Sequence, residues 1–266
     1  MSEPFIIDAH AHLGSAGQLV SPPQTVANML AWMDRLGVAV AICSDHTAVL
    51  EGYATGLDRM ARAFDESRGR LRCLAVFDPR SGEACLREIR SAVGKPYLRG
   101  IKIHPSCHGV PADADAYAPV WKLAAAHDLP ILAHTWSVSD YNPTQVLSIP
   151  SKFERHVRAF SSVRLILGHA GGRGRDRHDA TRMARDYPNI WLDFAGDIYC
   201  HRLIESLVES APANRILFGS DYPWTGASDH LTQVLLARVG DDVKAKILRY
   251  NAMDVYQLAQ ADCLCG

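Results

Sequence analysis

The chain has 266 residues, of which 48% are hydrophobic and 21% charged, and its formal net charge is −1. This size and apolar content suit one large α/β domain, and the neutral balance excludes the broad basic field that attracts nucleic acid or anionic membranes. Seven cysteines without a repeated spacing favour free thiols over a disulfide framework. Because neither a basic leader nor a membrane-spanning apolar run is present, we expect a cytoplasmic protein without nucleic-acid or membrane partners.

Short runs rich in β-branched residues alternate with amphipathic stretches along the whole chain. Eight strands are predicted, at residues 5–12, 38–45, 71–79, 99–105, 130–136, 163–172, 189–197 and 215–224. The segments between them have helical period. Residues 25–37 place their apolar side chains on one stripe that ends at Gly37, and residues 115–128 and 231–250 are predicted to be helical in the same way.

Eight strand–helix units predict a (β/α)8 barrel, also called a TIM barrel, formed by a single α/β domain over residues 1–266 with a peripheral tail at 259–266. A doubly wound open sheet is the competing architecture, but no predicted strand is followed by the G-x-G-x-x-G turn typical of that fold. Seven of the eight predicted strands carry a candidate histidine or aspartate at or near their carboxyl ends, namely His12, Asp45, Asp78, His104, His134, His169 and Asp221. In a barrel the carboxyl ends of the strands form the active site.

The stretch FIIDAHAHLG at residues 5–14 places His10 and His12 on one face of the first strand, because alternate side chains of a strand point the same way. A closed barrel would bring His134, His169 and Asp221 to the same mouth. Imidazoles and a carboxylate suit a divalent cation, with Zn²⁺ first and Mn²⁺ or Fe²⁺ as alternatives. One such histidine alone would more often be structural, but the joint pattern predicts a metal site, with His169 either a ligand or its neighbour.

Several motifs together resemble the amidohydrolase superfamily, in particular the amidohydrolase-2 branch that includes aminocarboxymuconate-semialdehyde decarboxylase and related small hydrolases and lactonases. The motifs are IDAHAHLG, RGIKIHP, LAHTW, LGHAGG, LFGSDYPW and the closing segment ILRYNAMDVYQL, so the resemblance covers essentially the entire chain. It implies that His10, His12, His134 and Asp221 surround a catalytic metal ion. His169 would orient the activated water or polarise the substrate, and Asp221 would double as the general base.

Lys102, in RGIKIHP, is the residue for which the resemblance leaves two roles open. In dinuclear members of the superfamily a lysine on strand four is carbamylated and bridges two metals. In the branch most similar to this chain one metal is usual, and Lys102 would bind a substrate carboxylate or carbonyl; we favour one ion. TatD-type nucleases also begin with a D-x-H-x-H-like strand, but they would show a glutamate on strand four and an ETD motif on strand eight.

Five further residues are predicted to contact a small-molecule substrate. His104 either contacts the substrate or caps its strand, and Arg173 would bind a carboxylate from the loop after strand six. Trp136, Tyr222 and Trp224 follow predicted metal ligands and either wall an apolar pocket or pack the loops. The irregular connection at 135–152 is predicted to be a lid or a subunit contact, and the second role would suit a homodimer.

These residues predict a metal-dependent hydrolase in which activated water attacks the carbonyl carbon of a small, carboxylated amide, ester or lactone. The alternative is non-oxidative decarboxylation of a small unsaturated or aromatic acid, in which Asp221 would deliver a proton to the substrate carbon. Both reactions use the same ligands, so the sequence does not separate them. A barrel that binds a metal or ligand without turnover is a third interpretation, and the presence of both the predicted base and the predicted metal ligands argues against it.

Overall fold

The computed structural model describes residues 5–14 and 24–260. Its eight strands form one parallel sheet in sequence order: β1 (Ile6–Leu13), β2 (Val38–Asp45), β3 (Leu71–Val76), β4 (Leu98–Ile103), β5 (Ile131–His134), β6 (Leu165–Gly168), β7 (Ile190–Asp193) and β8 (Ile216–Leu217). Helices alternate with these strands, so the predicted single-domain (β/α)8 barrel is confirmed. Of the predicted peripheral tail, residues 261–266 lie outside the described residues.

The barrel closes between β1 and the segment that follows β8. The amide of Asp221 donates to the carbonyl of His10 at 2.8 Å, and the amide of His12 donates to the carbonyl of Tyr222 at 2.8 Å. β8 is much shorter than the strand predicted at 215–224. The extended ladder ends early because the chain turns, and Asp221 has a left-handed backbone with φ of 56°.

The helices are α1 (Val26–Leu36), α2 (His46–Leu50), α3 (Gly56–Glu66), α4 (Gly82–Ala92), α5 (Pro105–His108), α6 (Ala118–Ala126), α7 (Glu154–Ala159), α8 (Gly174–Asp186), α9 (Leu203–Ser210), α10 (Ala227–Leu236), α11 (Asp241–Ala245) and α12 (Asn251–Tyr256). Short 3₁₀ segments occur at Asp115–Tyr117, Pro143–Leu147, Pro150–Phe153, His169–Gly171 and Ala213–Arg215. α1 begins after Thr25, whose side chain accepts from the amide of Asn28, and ends at Gly37 as predicted. Within the described part of the chain, no helix has the length and apolarity needed to cross a bilayer.

The segment predicted as one helix at 231–250 is split into several pieces. α10 ends at Leu236, α11 begins at Asp241, and a π-helical turn over Lys246–Tyr250 leads into α12. Gly240 lies between the first two pieces and is a poor helix former, and the acidic first turn of α11 favours a new helix N-terminus. The apolar spacing of residues 231–250 did not predict this break.

The interior of the barrel is apolar at its amino end and polar at its carboxyl end. Inward-facing side chains of the strands form a small cluster with α12, and its members include Ile7, Val40, Ile42, Leu74, Leu132, Ile166 and Leu217. α12 closes this end, where the hydroxyl of Tyr256 donates to the carbonyl of Ala9 at 2.9 Å. Further along the strands the inward positions hold histidines, a lysine and aspartates, and in β1 a register shift between Asp8 and Ala11 separates Ile7 from His10 and His12. In the described part of the chain, the candidate site residues therefore lie at the carboxyl mouth.

Candidate active site

The two histidines of β1 are buried inside the mouth of the barrel. His10 Nδ1 donates to the carboxylate of Asp193 at 3.0 Å, which leaves the lone pair on Nε2. His12 Nδ1 lies 2.8 Å from the hydroxyl of Ser44, and its Nε2 lies 3.0 Å from Asp221 Oδ1. Burial lowers the pKa of both histidines, well below the ordinary value for His10. Both rings are therefore neutral, which is the form that binds metal ions.

Asp221 completes a set of three close ligand atoms. Its Oδ1 lies 3.7 Å from His10 Nε2 and 3.0 Å from His12 Nε2, and donor atoms of the three residues all fall within 4.8 Å of one another. Burial by itself would raise the pKa of Asp221, but His169 and the β1 histidines hold it well below its ordinary range. Two neutral imidazoles and an ionised carboxylate fit a divalent cation, and they do not distinguish zinc from manganese or iron.

His134, at the end of β5, lies one contact away from this set. Its Nδ1 is 3.1 Å from His169 Nε2, and its Nε2 is 3.1 Å from Gln145 Oε1. His169 Nδ1 donates to the carbonyl of Ala195 at 2.9 Å, so its Nε2 faces His134. The ring of His169 also lies 5.0 Å from that of His10. The structure thus brings His134 to the predicted mouth and links it to the β1 histidines through His169.

Asp193, the last residue of β7, belongs to the candidate site and was not predicted from the sequence. One of its carboxylate oxygens accepts from His10, and the other accepts from the backbone amides of His169 at 2.8 Å and of Ala195 at 3.0 Å. The same carboxylate therefore orients the ring of His10 and holds the backbone of His169, which has a left-handed φ of 62°. The signal was present, because the stretch NIWLDFAGD places Asp193 directly after the apolar run of its predicted strand.

Lys102 extends from β4 to the floor of the site, where it is 1% exposed. Its Nζ donates to His10 Nε2 at 2.8 Å. Burial lowers the pKa of Lys102 to about 8, although Asp221 and Asp193 favour its charged form. A lone pair that binds a metal ion cannot also accept this hydrogen bond, so metal binding at His10 would free the amine of Lys102.

These side chains open into a cavity of about 580 Å³ at the carboxyl end of the barrel. It is lined by His12, His46, Val49, Leu50, Lys102, His104, Ser106, Cys107, His134, Trp136, Asn142, Thr144, Gln145, His169, Gly196, Asp197, Asp221, Trp224 and Thr225. Of the predicted substrate contacts, His104, Trp136 and Trp224 are in this lining. Arg173 and Tyr222 are not among the described lining residues.

Both of these residues contact other side chains instead. The guanidinium of Arg173 donates to the backbone carbonyl of Asp197 at 2.7 Å and to its carboxylate at 3.2 Å, and it lies 5.9 Å from the ring centroid of Trp136. The hydroxyl of Tyr222 donates to the side chain of Gln24 at 2.8 Å. In this arrangement Arg173 and Tyr222 support the wall of the cavity rather than forming its surface.

His104 caps the helix that follows its strand and lies in the cavity lining, so its contact with a substrate stays a prediction. Its Nδ1 accepts from the backbone amide of Cys107 at 3.3 Å and so caps α5. Its ring also stacks on that of His134, with 3.8 Å between the centroids, and contributes to the cavity wall. The sulfur of Cys107 lies 3.5 Å from His104 Nε2, which places an imidazole beside this thiol.

His46, the first residue of α2, is a second residue that the sequence analysis missed. Its ring stacks on that of His12 with 4.2 Å between the centroids. Its Nε2 accepts from the indole of Trp224 at 2.5 Å, and burial lowers its pKa to about 2, so it remains a neutral acceptor. His46 thereby orients Trp224 against the cavity. Its signal was its place directly after Asp45 at the end of a predicted strand.

The fold is an eight-stranded barrel, and imidazoles and a carboxylate cluster at its carboxyl mouth. Together these features are typical of metal-dependent barrel enzymes. The sequence matches the family model described as amidohydrolase over residues 7–258, and the chain belongs to this family. The resemblance drawn from the motifs is therefore confirmed. No curated protein sequence matches the chain significantly.

Three solved structures with the same fold are decarboxylases. The 5-carboxyvanillate decarboxylase of Sphingomonas paucimobilis is 16% identical with a TM-score of 0.75, over 96% of this chain and 99% of that chain. The 2,6-dihydroxybenzoate decarboxylase from Rhizobium is 16% identical with a TM-score of 0.74, over 95% and 98% of the two chains. A dihydroxybenzoic acid decarboxylase from a Polaromonas species, solved with bound manganese, is 16% identical with a TM-score of 0.75, over 98% and 99%. At this identity the similarity establishes the fold.

Proposed function

We propose that the protein is a metal-dependent, non-oxidative decarboxylase of a small aromatic or unsaturated acid. The observation that carries this proposal is the placement of Asp221 and Lys102 in one cavity walled by Trp136 and Trp224. The cavity combines a cation for a carboxylate, an acid–base group for a carbon atom and flat apolar walls for a planar substrate. Several structures that share the fold are named as decarboxylases of aromatic acids, which favours this reaction over the hydrolysis that the sequence first suggested.

The residues of the site would divide the work of binding between them. A divalent ion held by His10, His12, His134 and Asp221 would bind substrate oxygens and stabilise the negative charge that develops in the reaction. The ammonium of Lys102 would donate to the substrate carboxylate, since it lies on the cavity floor. The two tryptophans would hold the substrate plane so that its scissile bond faces Asp221.

Asp221 would handle the proton that the reaction requires. When the bond from the substrate carbon to its carboxylate breaks, carbon dioxide leaves and the electron pair stays on the carbon, which then takes up one proton. Because its pKa is held well below the ordinary range, Asp221 is ionised in the free protein. It would therefore first accept a proton, from a substrate hydroxyl or a water molecule, and then transfer it to the carbon.

The deciding experiment compares two products in one panel. Protein loaded with Zn²⁺ or Mn²⁺ is incubated with hydroxybenzoates, unsaturated acids and lactones, while carbon dioxide release and ring opening are followed separately. We expect carbon dioxide from at least one acid, and its loss in Asp221→Asn. Ring opening of a lactone without carbon dioxide from any acid would identify a hydrolase instead. No turnover of any compound by metal-loaded protein would contradict an enzymatic role.

We also propose that the connection between β5 and α7 is a lid that contributes to a homodimer. Its residues Asn142, Thr144 and Gln145 line the cavity, and Gln145 contacts His134. Tyr141, on the same connection, is 94% exposed, which suits a contact with a second copy of the chain. Size-exclusion chromatography of the wild type and of Tyr141→Ser tests this arrangement. A wild type that elutes as a monomer at all concentrations would contradict the homodimer.

A further inference from the structure

The cavity separates its charges between floor and rim, and this sets a limit on the acids that it can hold. We propose that it accepts acids with one carboxylate and discriminates against acids with a second carboxylate at the far end, and that Asp197 sets this preference. The inference rests on the proposed function only in taking an acid as the substrate.

The positive charge of the cavity is confined to its floor. Among the described residues of the lining, Lys102 is the only lysine or arginine, and its ammonium lies against His10. The segments outside the described structure, residues 1–4, 15–23 and 261–266, contain no lysine or arginine that could add to the lining. A carboxylate is therefore matched by cations only at the floor, where Lys102 lies beside the proposed metal ligands, and the remainder of the substrate meets no lysine or arginine of the described lining.

The rim of the cavity is neutral or acidic. Asn142, Thr144, Gln145 and Thr225 offer neutral donors and acceptors, and Asp197 adds an exposed carboxylate. A substrate hydroxyl at this end could donate to Asp197. A second carboxylate would instead face the like charge of Asp197. This repulsion weakens the binding of a dicarboxylate and leaves the binding of an acid with one carboxylate largely unaffected.

The nearest guanidinium does not reverse this arrangement. Arg173 binds the carbonyl and the carboxylate of Asp197, and its backbone amide donates to the hydroxyl of Ser137 at 2.5 Å. Its side chain is 62% exposed and is absent from the described lining. The side chain that the sequence marked as a carboxylate clamp is thus held outside the cavity by the aspartate that belongs to the rim.

A matched pair of ligands tests the preference directly in metal-loaded protein. The two compounds are 3-hydroxybenzoate and benzene-1,3-dicarboxylate, which differ only at ring position 3, where one has a hydroxyl and the other a carboxylate. Their dissociation constants are measured by calorimetry. We expect the wild type to bind the hydroxy acid about tenfold more tightly than the dicarboxylate. This ratio corresponds to the partly screened repulsion between the second carboxylate and Asp197. Asp197→Asn keeps an acceptor for Arg173 and should reduce this ratio about threefold or more.

Two further variants separate Asp197 from its neighbours. Arg173→Met should leave the ratio unchanged or raise it, because it removes a cation that partly offsets Asp197. Asp186→Asn, which removes an exposed carboxylate of α8 that contacts Arg182 and Arg185, is the control and should leave the ratio unchanged.

Several outcomes would overturn the proposal. If the wild type bound the dicarboxylate as tightly as the hydroxy acid or more tightly, a cation at the rim would have to bind the second carboxylate. Weaker binding of the dicarboxylate by Arg173→Met than by the wild type would identify that cation as Arg173. An unchanged ratio in Asp197→Asn would remove the role of that residue. Carbon dioxide release from the wider panel of acids tests the proposed reaction, and the binding ratio decides the charge preference separately. If neither compound binds, the charge preference fails, while the panel still decides the proposed reaction.

Discussion

On the β2 and β3 side of the mouth, the strand-end aspartates are used for structure. Asp45 is buried and accepts from the guanidinium of Arg59 at 2.7 Å with each of its carboxylate oxygens. Asp78 binds Arg80, only two residues away, with a closest contact of 2.7 Å. Neither aspartate is among the described residues that line the cavity. Each aspartate forms an ion pair with an arginine that is near in sequence, and this pair stabilises the local loop or helix.

On the side of β1, β7 and β8, aspartates at equivalent strand ends face histidines instead. Asp193 binds His10, and Asp221 lies against His10 and His12, with no arginine contact among the described residues. The partners are 183 and 209 residues away for the two hydrogen-bonded pairs, so they meet only in the closed barrel. The difference shows that a strand-end carboxylate becomes functional when its nearest partner is a metal-binding or acid–base group rather than a fixed cation.

The largest effect is expected from removing the charge of Asp221. Asp221→Asn should lower kcat by a factor of about 10³ or more, because it removes both a metal ligand and the proposed proton carrier. Carbon dioxide release gives the rate, and a thermal melt shows whether the fold survives. A variant with full activity would remove Asp221 from the proposed chemistry.

A smaller but specific effect is expected at Asp193. Asp193→Ala should weaken metal affinity about 10- to 100-fold, since it removes the partner that holds His10 Nδ1, and Asp193→Asn should restore part of the loss. Competition with a chelator measures the affinity, and ¹⁵N chemical shifts of labelled histidine report which nitrogen of His10 carries the proton. Unchanged metal affinity and an unchanged proton position would contradict a positioning role.

The opposite pattern is expected at Asp45. Asp45→Ala should lower the free energy of unfolding by about 2 kcal/mol, because it removes the cap of α2 and the partner of Arg59. Urea denaturation measures this loss. Activity per folded molecule should stay within about threefold of the wild type. If kcat instead fell as far as in Asp221→Asn, the contrast between the two sides of the mouth would not hold.

The smallest effect is expected at the half-exposed arginine beside Asp78. Arg80 helps to hold the pKa of Asp78 below its ordinary value against the effect of burial, so the pair stabilises the fold when that carboxyl is ionised. Arg80→Met should cost less than about 1 kcal/mol at neutral pH, since exposed pairs are screened. The difference from the wild type should shrink as the pH falls through the lowered pKa of Asp78. A difference that grew on acidification would contradict this assignment.

The sequence was sufficient for the fold and for the main polar residues of the mouth. Strand period, the Gly37 stop and the D-x-H-x-H pattern of β1 are local signals, and they correctly predicted eight strands with a cluster of polar side chains at one end. The short β8 was not predicted because it depends on a tertiary contact, and the break at Gly240 was not predicted because only the apolar spacing was considered there. β8 ends where the chain turns to bond with β1, and an apolar stripe can continue across a helix break.

The partners of individual side chains could not be predicted in the same way. Arg173 follows GHAGG and had the chemistry of a carboxylate clamp, but its nearest carboxylate belongs to Asp197, on the loop after β7. The position of Asp193 after an apolar run could be seen in the sequence, but its partners could not. His10 lies on β1 and His169 directly follows β6, so both contacts form only in the folded barrel. Residue type and strand position predict where a group lies, whereas the choice among charged neighbours depends on distances of a few ångströms.

The backbone hydrogen bonds that close the barrel join the same segments that carry the candidate metal ligands. Backbone contacts link His10 and His12 to the segment at Asp221 and Tyr222, and the ligand atoms lie just beyond them. A bound ion would therefore cross-link the first and last strands of the cylinder. Its concentration would then govern how readily the two ends of the domain part, so that a melting curve recorded at increasing metal concentration becomes a binding isotherm for the centre.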